Sequence, residues 1–130
     1  MEKKFNRLLK KIKSYHPQAD LDLLKKAYDF AFQAHQGQKR LSGEPFISHP
    51  LSVAEVLTDW RLDTGSIVAG LLHDVVEEGG IKKEKLGKEF GQDIAQLVDG
   101  VTKIGEIKLR GAAKDIFVEN LRKMIVVMAL

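Results

Sequence analysis

The segment LLHDVVEEGG, residues 71–80, places four ionisable side chains in an otherwise apolar stretch. His73 and Asp74 are adjacent, and Glu77 and Glu78 follow one helical turn later. Residues three and four apart share one face of a helix, so the four groups are expected to lie near one another. Burying such groups without partners costs several kcal/mol each, which indicates that something outside the chain satisfies them.

Imidazole and carboxylate groups together form a ligand set suited to a divalent ion such as manganese, iron or zinc. The chain has no cysteine, which excludes zinc–thiolate sites, disulfides and cysteine nucleophiles and favours the harder metals. By itself the His73–Asp74 pair also fits a hydrogen-bonded pair near a helix C-terminus, where the helix dipole favours a cationic histidine. A metal site and a structural pair are therefore both open at this point.

His49 strengthens the metal interpretation. It stands in FISHP, directly before Pro50 and at a predicted helix start. A distant histidine followed by a His-Asp pair resembles the pattern of the HD metal-dependent phosphohydrolases, which need one more aspartate far downstream. Asp99 and Asp115 are available, but each is predicted to be an exposed helix residue or a cap.

The elements that must position these side chains are predicted to be helices. Apolar residues recur at three- and four-residue spacing, and no strand pattern appears. We predict helices that end near Pro17 and Gly37, a third with Pro50 in its first turn, a fourth over 64–78, a fifth over 82–90, a sixth that ends near Lys103 and a last over 113–130. The segment GQKRLSGEPFISHP is predicted to be a loop. The expected architecture is an all-α helical bundle.

The bulk composition fits one globular domain over residues 1–130. Hydrophobic residues make up 44% and charged residues 30% of the chain. No apolar run is long enough to cross a bilayer, and the absence of cysteine is compatible with a reducing cytosol. The net charge is +3, and much of the excess lies in MEKKFNRLLKKIKSYH. We interpret it as a solvated helix face, because no series of aromatics interleaved with the basic residues suggests stacking on bases, and direct nucleic-acid binding is not expected.

Four motifs in order carry a more specific resemblance: GQKRLSGEPFISHP, LLHDVVEEGG, DGVTKI and ENLRKMIVVMA. From about Leu21 to the end, the chain resembles the N-terminal HD hydrolase domain of the RelA/SpoT family of (p)ppGpp synthetase/hydrolases. The chain stops on the apolar run MIVVMAL, which predicts a fragment of a longer protein. The resemblance implies that the last metal-binding aspartate and a nucleotide-binding asparagine lie beyond Leu130, followed by synthetase and regulatory domains.

The resemblance also implies roles for individual residues. It assigns manganese (Mn²⁺) to His49, His73 and Asp74 as metal ligands, with the fourth ligand absent from this chain. It assigns orientation or deprotonation of the attacking water to the acidic pair Glu77 and Glu78. Binding of the guanosine or its phosphates is assigned to Arg40, with Ser42 nearby.

Three positions depart from the family pattern. Glu78 stands where an aspartate is usual, which carries the carboxylate one methylene further out. Leu41 stands where a lysine is usual, which removes a charge that could bind the nucleotide. Phe46 stands where a tyrosine is common, which removes a hydroxyl.

The implied reaction is removal of the 3′-pyrophosphate from (p)ppGpp to give GDP or GTP and pyrophosphate in the cytoplasm. Two alternatives stay open: a regulatory HD domain that modulates a downstream GTP pyrophosphokinase domain, and an HD phosphohydrolase that acts on other nucleotides. We expect the 130-residue chain to fold, to bind manganese weakly and to turn over little. His35 is predicted to have a structural role rather than to support the metal site, and Trp60 is predicted to lie in the core.

Overall fold

In this computed structural model, the structure describes the backbone of residues 2–108 and the side chains of residues 2–100. Six helices follow one another in this part of the chain: α1 (Glu2–Tyr15), α2 (Leu21–Ala34), α3 (Ser48–Asp59), α4 (Thr64–Leu72), α5 (Lys83–Phe90) and α6 (Gln92–Lys108). Over residues 2–108 the one β-type pairing is an isolated bridge between Lys39 and Pro45. The all-α prediction is confirmed, while the predicted helix over 113–130, including Asp115, lies outside the described residues.

Helix α4 forms the centre of the bundle and packs against α2, α3 and α6. Its sequence, TGSIVAGLL, is apolar on every side, and residues 66–72 are all buried. A helix that is hydrophobic all round must be covered on all sides, which explains its central position. Gly70 allows the closest approach, because a Cβ added there would lie 2.6 Å from Leu57 Cδ1 on α3. The residues that follow α4 are thereby held against α3.

Helix α1 attaches to α3 through both its apolar and its basic faces. Phe5, Leu8 and Ile12, at three- and four-residue spacing, are buried on one face of α1. Lys11 forms an ion pair with Asp59, and Lys4 Nζ donates to Ser52 Oγ at 3.2 Å. Part of the basic face of α1 therefore serves to dock this helix.

Helix α2 ends at Ala34, close to the predicted end near Gly37. The Asp20 carboxylate accepts a hydrogen bond from the backbone N–H of Leu23 at 3.0 Å, the expected N-cap interaction. The small residues Ala27 and Ala31 are buried toward the bundle. The helix ends at Ala34 with His35 as its C-cap, so His35 is directed inward at the start of the following loop.

The prediction that Trp60 lies in the core is wrong, because Trp60 is 43% exposed. Helix α3 ends at Asp59, and Arg61 adopts a positive φ of 55°. The N–H of Leu62 then donates to the carbonyl of Leu57 and the N–H of Arg61 to that of Thr58, the two bonds of a Schellman motif. This reversal turns Leu62 into the core, at 8% exposure, in the place predicted for Trp60.

Helix α3 begins at Ser48, which puts Pro50 in its first turn as predicted. Two predicted helix boundaries differ from the structure. Helix α6 continues to Lys108 rather than ending near Lys103. Helix α4 ends at Leu72 rather than at residue 78, and the chain continues as turns. His73 Nδ1 lies 2.6 Å from the carbonyl oxygen of Gly70, which in an unbroken helix would accept from the N–H of residue 74. This competition accounts for the early end of α4.

None of the helices described over residues 2–108 is both long and apolar enough to cross a membrane.

Candidate metal centre

Two elements bring three of the predicted metal ligands together. His49 lies in the first turn of α3, and His73 and Asp74 lie directly after α4. His73 Nε2 is 3.3 Å from His49 Nε2 and 3.0 Å from Asp74 Oδ2, and His49 Nε2 is 3.4 Å from Asp74 Oδ2. Two nitrogens and one oxygen thus converge on one point, at which a cation would be attracted to all three.

The backbone of α4 fixes the orientation of the His73 ring. A carbonyl oxygen only accepts hydrogen bonds, so the 2.6 Å contact with Gly70 places the proton on His73 Nδ1. Nε2 then faces His49 Nε2 and Asp74 Oδ2. An imidazole held through one nitrogen by a carbonyl, with the other left as a ligand, is the usual arrangement of a metal-binding histidine.

The charge state of Asp74 also suits the binding of a cation. Burial alone would raise the pKa of this carboxyl, but His73, and to a smaller extent His49 and His35, lower the pKa to about 2. Asp74 is therefore a carboxylate at neutral pH. The side chains of His49 and His73 are only 5% and 1% exposed, whereas that of Asp74 is 16% exposed, so solvent reaches the cluster from the Asp74 side only in part.

These three residues fit a divalent cation. Among the residues with described side chains, His49, His73 and Asp74 are the group whose ligand atoms all lie within 4.8 Å of one another. Two imidazoles and one carboxylate suit manganese, iron or zinc better than magnesium, which prefers oxygen ligands. Three ligands also leave coordination positions for water, substrate or a further protein ligand.

Glu77 and Glu78 lie outside this cluster. Both are exposed, in the turns between His73 and Gly79. Because α4 ends at Leu72, the side chains do not follow the single helical face that the spacing predicted. The N–H of Glu78 donates to the carbonyl of Asp74 at 2.9 Å, so this turn still connects the acidic pair to the metal-ligand pair.

The predicted substrate-binding residues lie on a compact loop between α2 and α3. The N–H of Arg40 donates to the carbonyl of Glu44 at 2.8 Å, and the N–H of Gly43 donates to the carbonyl of Arg40 at 2.9 Å. Arg40 is half-buried, whereas Ser42 and Leu41 are exposed near the tip of the loop. The loop returns to the bundle at Phe46, whose ring centroid lies 6.0 Å from that of His49.

Gln38 ties this loop to the turn that carries the acidic pair, a connection that the sequence analysis missed. Gln38 Nε2 donates to the carbonyl oxygen of Glu78 at 2.5 Å, and Gln38 Oε1 lies 3.1 Å from His35 Nδ1. The spacing of QAHQGQ gives a weak signal for this pair, because Gln38 lies three positions after His35 near a helix end. The loop of the predicted substrate-binding residues and the turn after α4 are thus joined by a side chain.

Asp99, considered as a downstream ligand, belongs to another part of the surface. Its carboxylate pairs with Lys83 at 3.0 Å between α5 and α6. It is not a member of the three-residue cluster found among the described side chains. This agrees with the expectation that Asp99 does not complete the metal site.

Comparisons with known proteins identify the kind of domain. The family model described as "HD domain" matches residues 27–130. The chain is 47% identical over 120 residues to "GTP pyrophosphokinase" from Myxococcus xanthus and 42% identical over 118 residues to "GTP pyrophosphokinase rsh" from Brucella melitensis. It is 42% identical over 124 residues to "Guanosine-3′,5′-bis(diphosphate) 3′-pyrophosphohydrolase" from Vibrio cholerae.

These alignments cover 91%, 91% and 95% of the chain, but only 16%, 16% and 17% of the respective relatives. The match with the HD-domain model covers the metal-ligand cluster, the substrate loop and the acidic pair alike. The chain belongs to the HD-domain family, and its similar relatives are proteins of the RelA/SpoT type.

Proposed function

We propose that this chain is a manganese-dependent hydrolase domain that removes the 3′-pyrophosphate from (p)ppGpp. The observation that carries the proposal is the convergence of His49 Nε2, His73 Nε2 and Asp74 Oδ2 within 3.4 Å of one another. The name of the Vibrio cholerae relative, a 3′-pyrophosphohydrolase, supports this substrate. The reaction consumes one water, breaks the phosphorus–oxygen bond to the ribose 3′ oxygen and releases pyrophosphate.

The proposed site divides the work among the residues of this chain. His49, His73 and Asp74 hold the ion, which when bound neutralises charge on the diphosphate and makes water more acidic. Arg40 binds a phosphate through paired, charge-assisted hydrogen bonds, and Ser42 adds a hydroxyl donor from the same loop.

The acidic pair handles the proton in this proposal. Glu77 or Glu78 takes the proton of the attacking water, a contribution of roughly a hundredfold to ten-thousandfold in rate. The exposure of both carboxylates supports this assignment, because an exposed glutamate can pass the proton on to solvent.

A second candidate function is a regulatory HD domain that modulates a GTP pyrophosphokinase domain of a longer protein. Two relatives that carry the name GTP pyrophosphokinase favour it, as does the small share of each relative that the chain covers. Leu41 also favours it, because this fully exposed residue at the loop tip offers an apolar side chain to a phosphate-rich substrate.

The test is pyrophosphate release from ppGpp with added manganese. We would assay the 130-residue chain beside a chimera in which Leu130 is followed by the segment that comes after the aligned region in the Vibrio cholerae relative. The chimera supplies the further ligand that the family resemblance implies. We expect low turnover by the chain, and turnover by the chimera that falls by about a hundredfold or more in Asp74→Asn.

Asp99→Asn is the matched control, because it makes the same chemical change at a carboxylate that pairs with Lys83 outside the cluster. It should leave the rate within about twofold of the unsubstituted chimera, as expected for a partly exposed ion pair. A folded, manganese-loaded chimera that releases no pyrophosphate would overturn the hydrolase proposal and favour the regulatory one. Faster release from ordinary nucleoside phosphates than from ppGpp would overturn the substrate assignment.

A further inference from the structure

His35 is a buried polar side chain next to the metal-ligand cluster for which the proposed mechanism has no use. Its residue is 2% exposed, and its ring centroid lies 4.5 Å from that of Phe46. Its charge interacts with Asp74, His73 and Glu78, so it lies within electrostatic range of the site. Burial lowers its pKa, partly offset by the Gln38 hydrogen bond and by Asp74, which favours the neutral ring.

The hydrogen bonds of Gln38 determine which nitrogen of His35 carries the proton. Gln38 Nε2 donates to the carbonyl of Glu78, an oxygen that can only accept, and this fixes the orientation of the amide. Gln38 Oε1 is then the atom that faces His35 Nδ1 at 3.1 Å. Since an amide oxygen accepts, the proton lies on His35 Nδ1 and Nε2 is left with a lone pair.

His35 Nε2 has no hydrogen-bond partner among the residues with described side chains, although the atom is fully buried. An unsatisfied buried acceptor of this kind is destabilising unless a donor reaches it. The His73 ring has Nδ1 against the Gly70 carbonyl and Nε2 against Asp74, so neither of its nitrogens is placed to donate to His35. Water is the donor that fits such a polar, enclosed position.

We propose that His35 is a positioning residue whose Nε2 accepts a hydrogen bond from a water held between this ring and the His49–His73–Asp74 cluster. The water would donate one proton to His35 Nε2 and the other to the Asp74 carboxylate, which leaves its oxygen lone pairs directed away from both. His35, Gln38 and the carbonyl of Glu78 thus form one chain that orients a water at the site. This role rests on the proposed hydrolase function, because it places a water where that reaction needs one.

The test uses two substitutions that separate the two nitrogens of His35. The amide of asparagine lies as far from the backbone as His35 Nδ1. His35→Asn therefore keeps a donor for Gln38 Oε1 but removes the acceptor at the position of Nε2. Glutamine reaches the distance of Nε2, so His35→Gln keeps an acceptor toward the cluster. We expect His35→Asn to lower kcat by roughly tenfold to a hundredfold with KM unchanged, because misplacing a reacting group slows the chemical step.

His35→Gln should lower kcat by no more than about fivefold, because it loses only the hydrogen bond to Gln38 and keeps the acceptor toward the cluster. A merely structural role predicts a different pattern, in which both variants lose kcat together with manganese affinity and melting temperature. Equal losses of kcat in the two variants, or a loss of manganese affinity in His35→Asn as large as its loss of kcat, would overturn the proposal.

Two measurements on the metal-free 130-residue chain do not depend on turnover. The ¹⁵N shifts of the His35 ring should show a protonated Nδ1 and an unprotonated, hydrogen-bonded Nε2. Magnetisation transfer between bound water and the His35 ring proton should be present in the unsubstituted chain and absent in Gln38→Met, which releases the ring. A protonated Nε2 or the absence of water contact would overturn the proposal even if ppGpp is hydrolysed. A water contact at His35 without ppGpp hydrolysis would support the role of His35 and contradict the proposed substrate.

Discussion

His73 shows at the scale of a single residue how the backbone orients a proposed metal ligand. The carbonyl of Gly70 and the Asp74 carboxylate lie on opposite sides of its ring, at 2.6 Å from Nδ1 and 3.0 Å from Nε2. The Gly70 oxygen can only accept, so the Nδ1–H tautomer is set before any metal arrives. The ligand nitrogen therefore needs no rotation or tautomer change in order to bind a cation.

We predict that His73 in the metal-free chain is protonated at Nδ1, with slow exchange of this proton against solvent because the ring is buried. Long-range ¹H–¹⁵N spectra of the imidazoles measure the tautomer directly. Exposed His16 is the internal control, because the structure gives it no such carbonyl partner within the described residues and its ring protons should exchange rapidly. A His73 ring protonated at Nε2 alone would contradict the prepared-ligand interpretation.

Gly70 connects helix packing to the metal site at the scale of elements. The Gly70→Ala substitution would place a Cβ 2.6 Å from Leu57 Cδ1, so α4 and α3 must separate or Leu57 must move. Overpacking of this kind costs about 1–3 kcal/mol. We predict that Gly70→Ala destabilises the fold and also weakens manganese binding, because α3 carries His49 while α4 leads into His73.

Chemical unfolding and manganese titration measure this coupling in four variants: Gly70→Ala, Leu57→Val, the double variant and Gly100→Ala. Leu57→Val should restore part of the stability of Gly70→Ala, because it shortens the side chain that the new Cβ meets. Gly100→Ala on α6 is the control: its Cβ would have no atom within 4 Å, and the substitution should be neutral or stabilising by up to about 1 kcal/mol. Strictly additive effects of the Gly70 and Leu57 substitutions would show that the two helices are not in steric conflict there.

Tyr15 gives the attachment of α1 a pH dependence. Its hydroxyl donates to the carbonyl of Leu62 at 2.7 Å, and burial together with the charge of Asp63 raises its pKa from 10.0 to about 12. Between these two values the unfolded chain loses the phenolic proton while the folded chain keeps it. The contribution of Tyr15 is therefore complete below pH 10 and is lost as the pH rises toward 12.

We predict that Tyr15→Phe lowers the free energy of unfolding by about 1 kcal/mol at neutral pH, the value of a typical hydrogen bond. The difference between the two proteins should shrink as the pH approaches 12, since the substituted residue has no proton to lose. Urea unfolding over a series of pH values measures both effects. If the difference in free energy of unfolding stayed constant across the alkaline range, the pKa of Tyr15 would not be raised in the folded chain, contrary to this prediction.

The same elements show how far the sequence can predict the structure. Periodicity predicts the six described helices and the buried stripe of α1, because burial of an apolar face is a local property of spacing. Periodicity does not predict the outward position of Trp60, which precedes the left-handed Arg61. It also does not predict the end of α4 at Leu72, after which the His73 side chain bonds to the carbonyl of Gly70. Spacing likewise places Glu77 and Glu78 on the helix of the His-Asp pair, whereas the structure leaves both exposed in turns.

The three-residue cluster draws on parts of the molecule that are separate in sequence. His49 belongs to α3, whereas His73 and Asp74 follow α4, and the Gln38 bond to Glu78 adds the substrate loop to the same region. A cation bound by all three ligands would hold these elements together only in the folded state. Metal binding and stability of the whole chain should therefore be linked.

We predict that manganese raises the melting temperature of the chain in a concentration-dependent manner. A ligand that binds only the folded state at about a hundredfold above its Kd adds about 2.7 kcal/mol. His49→Ala removes the one ligand contributed by α3, so the rise should be lost, whereas Asp99→Asn should retain it. Magnesium should raise the melting temperature less than manganese, because two of the three ligands are imidazole nitrogens. An equal rise with magnesium, or with manganese in His49→Ala, would mean that the ions bind to surface carboxylates rather than to this cluster.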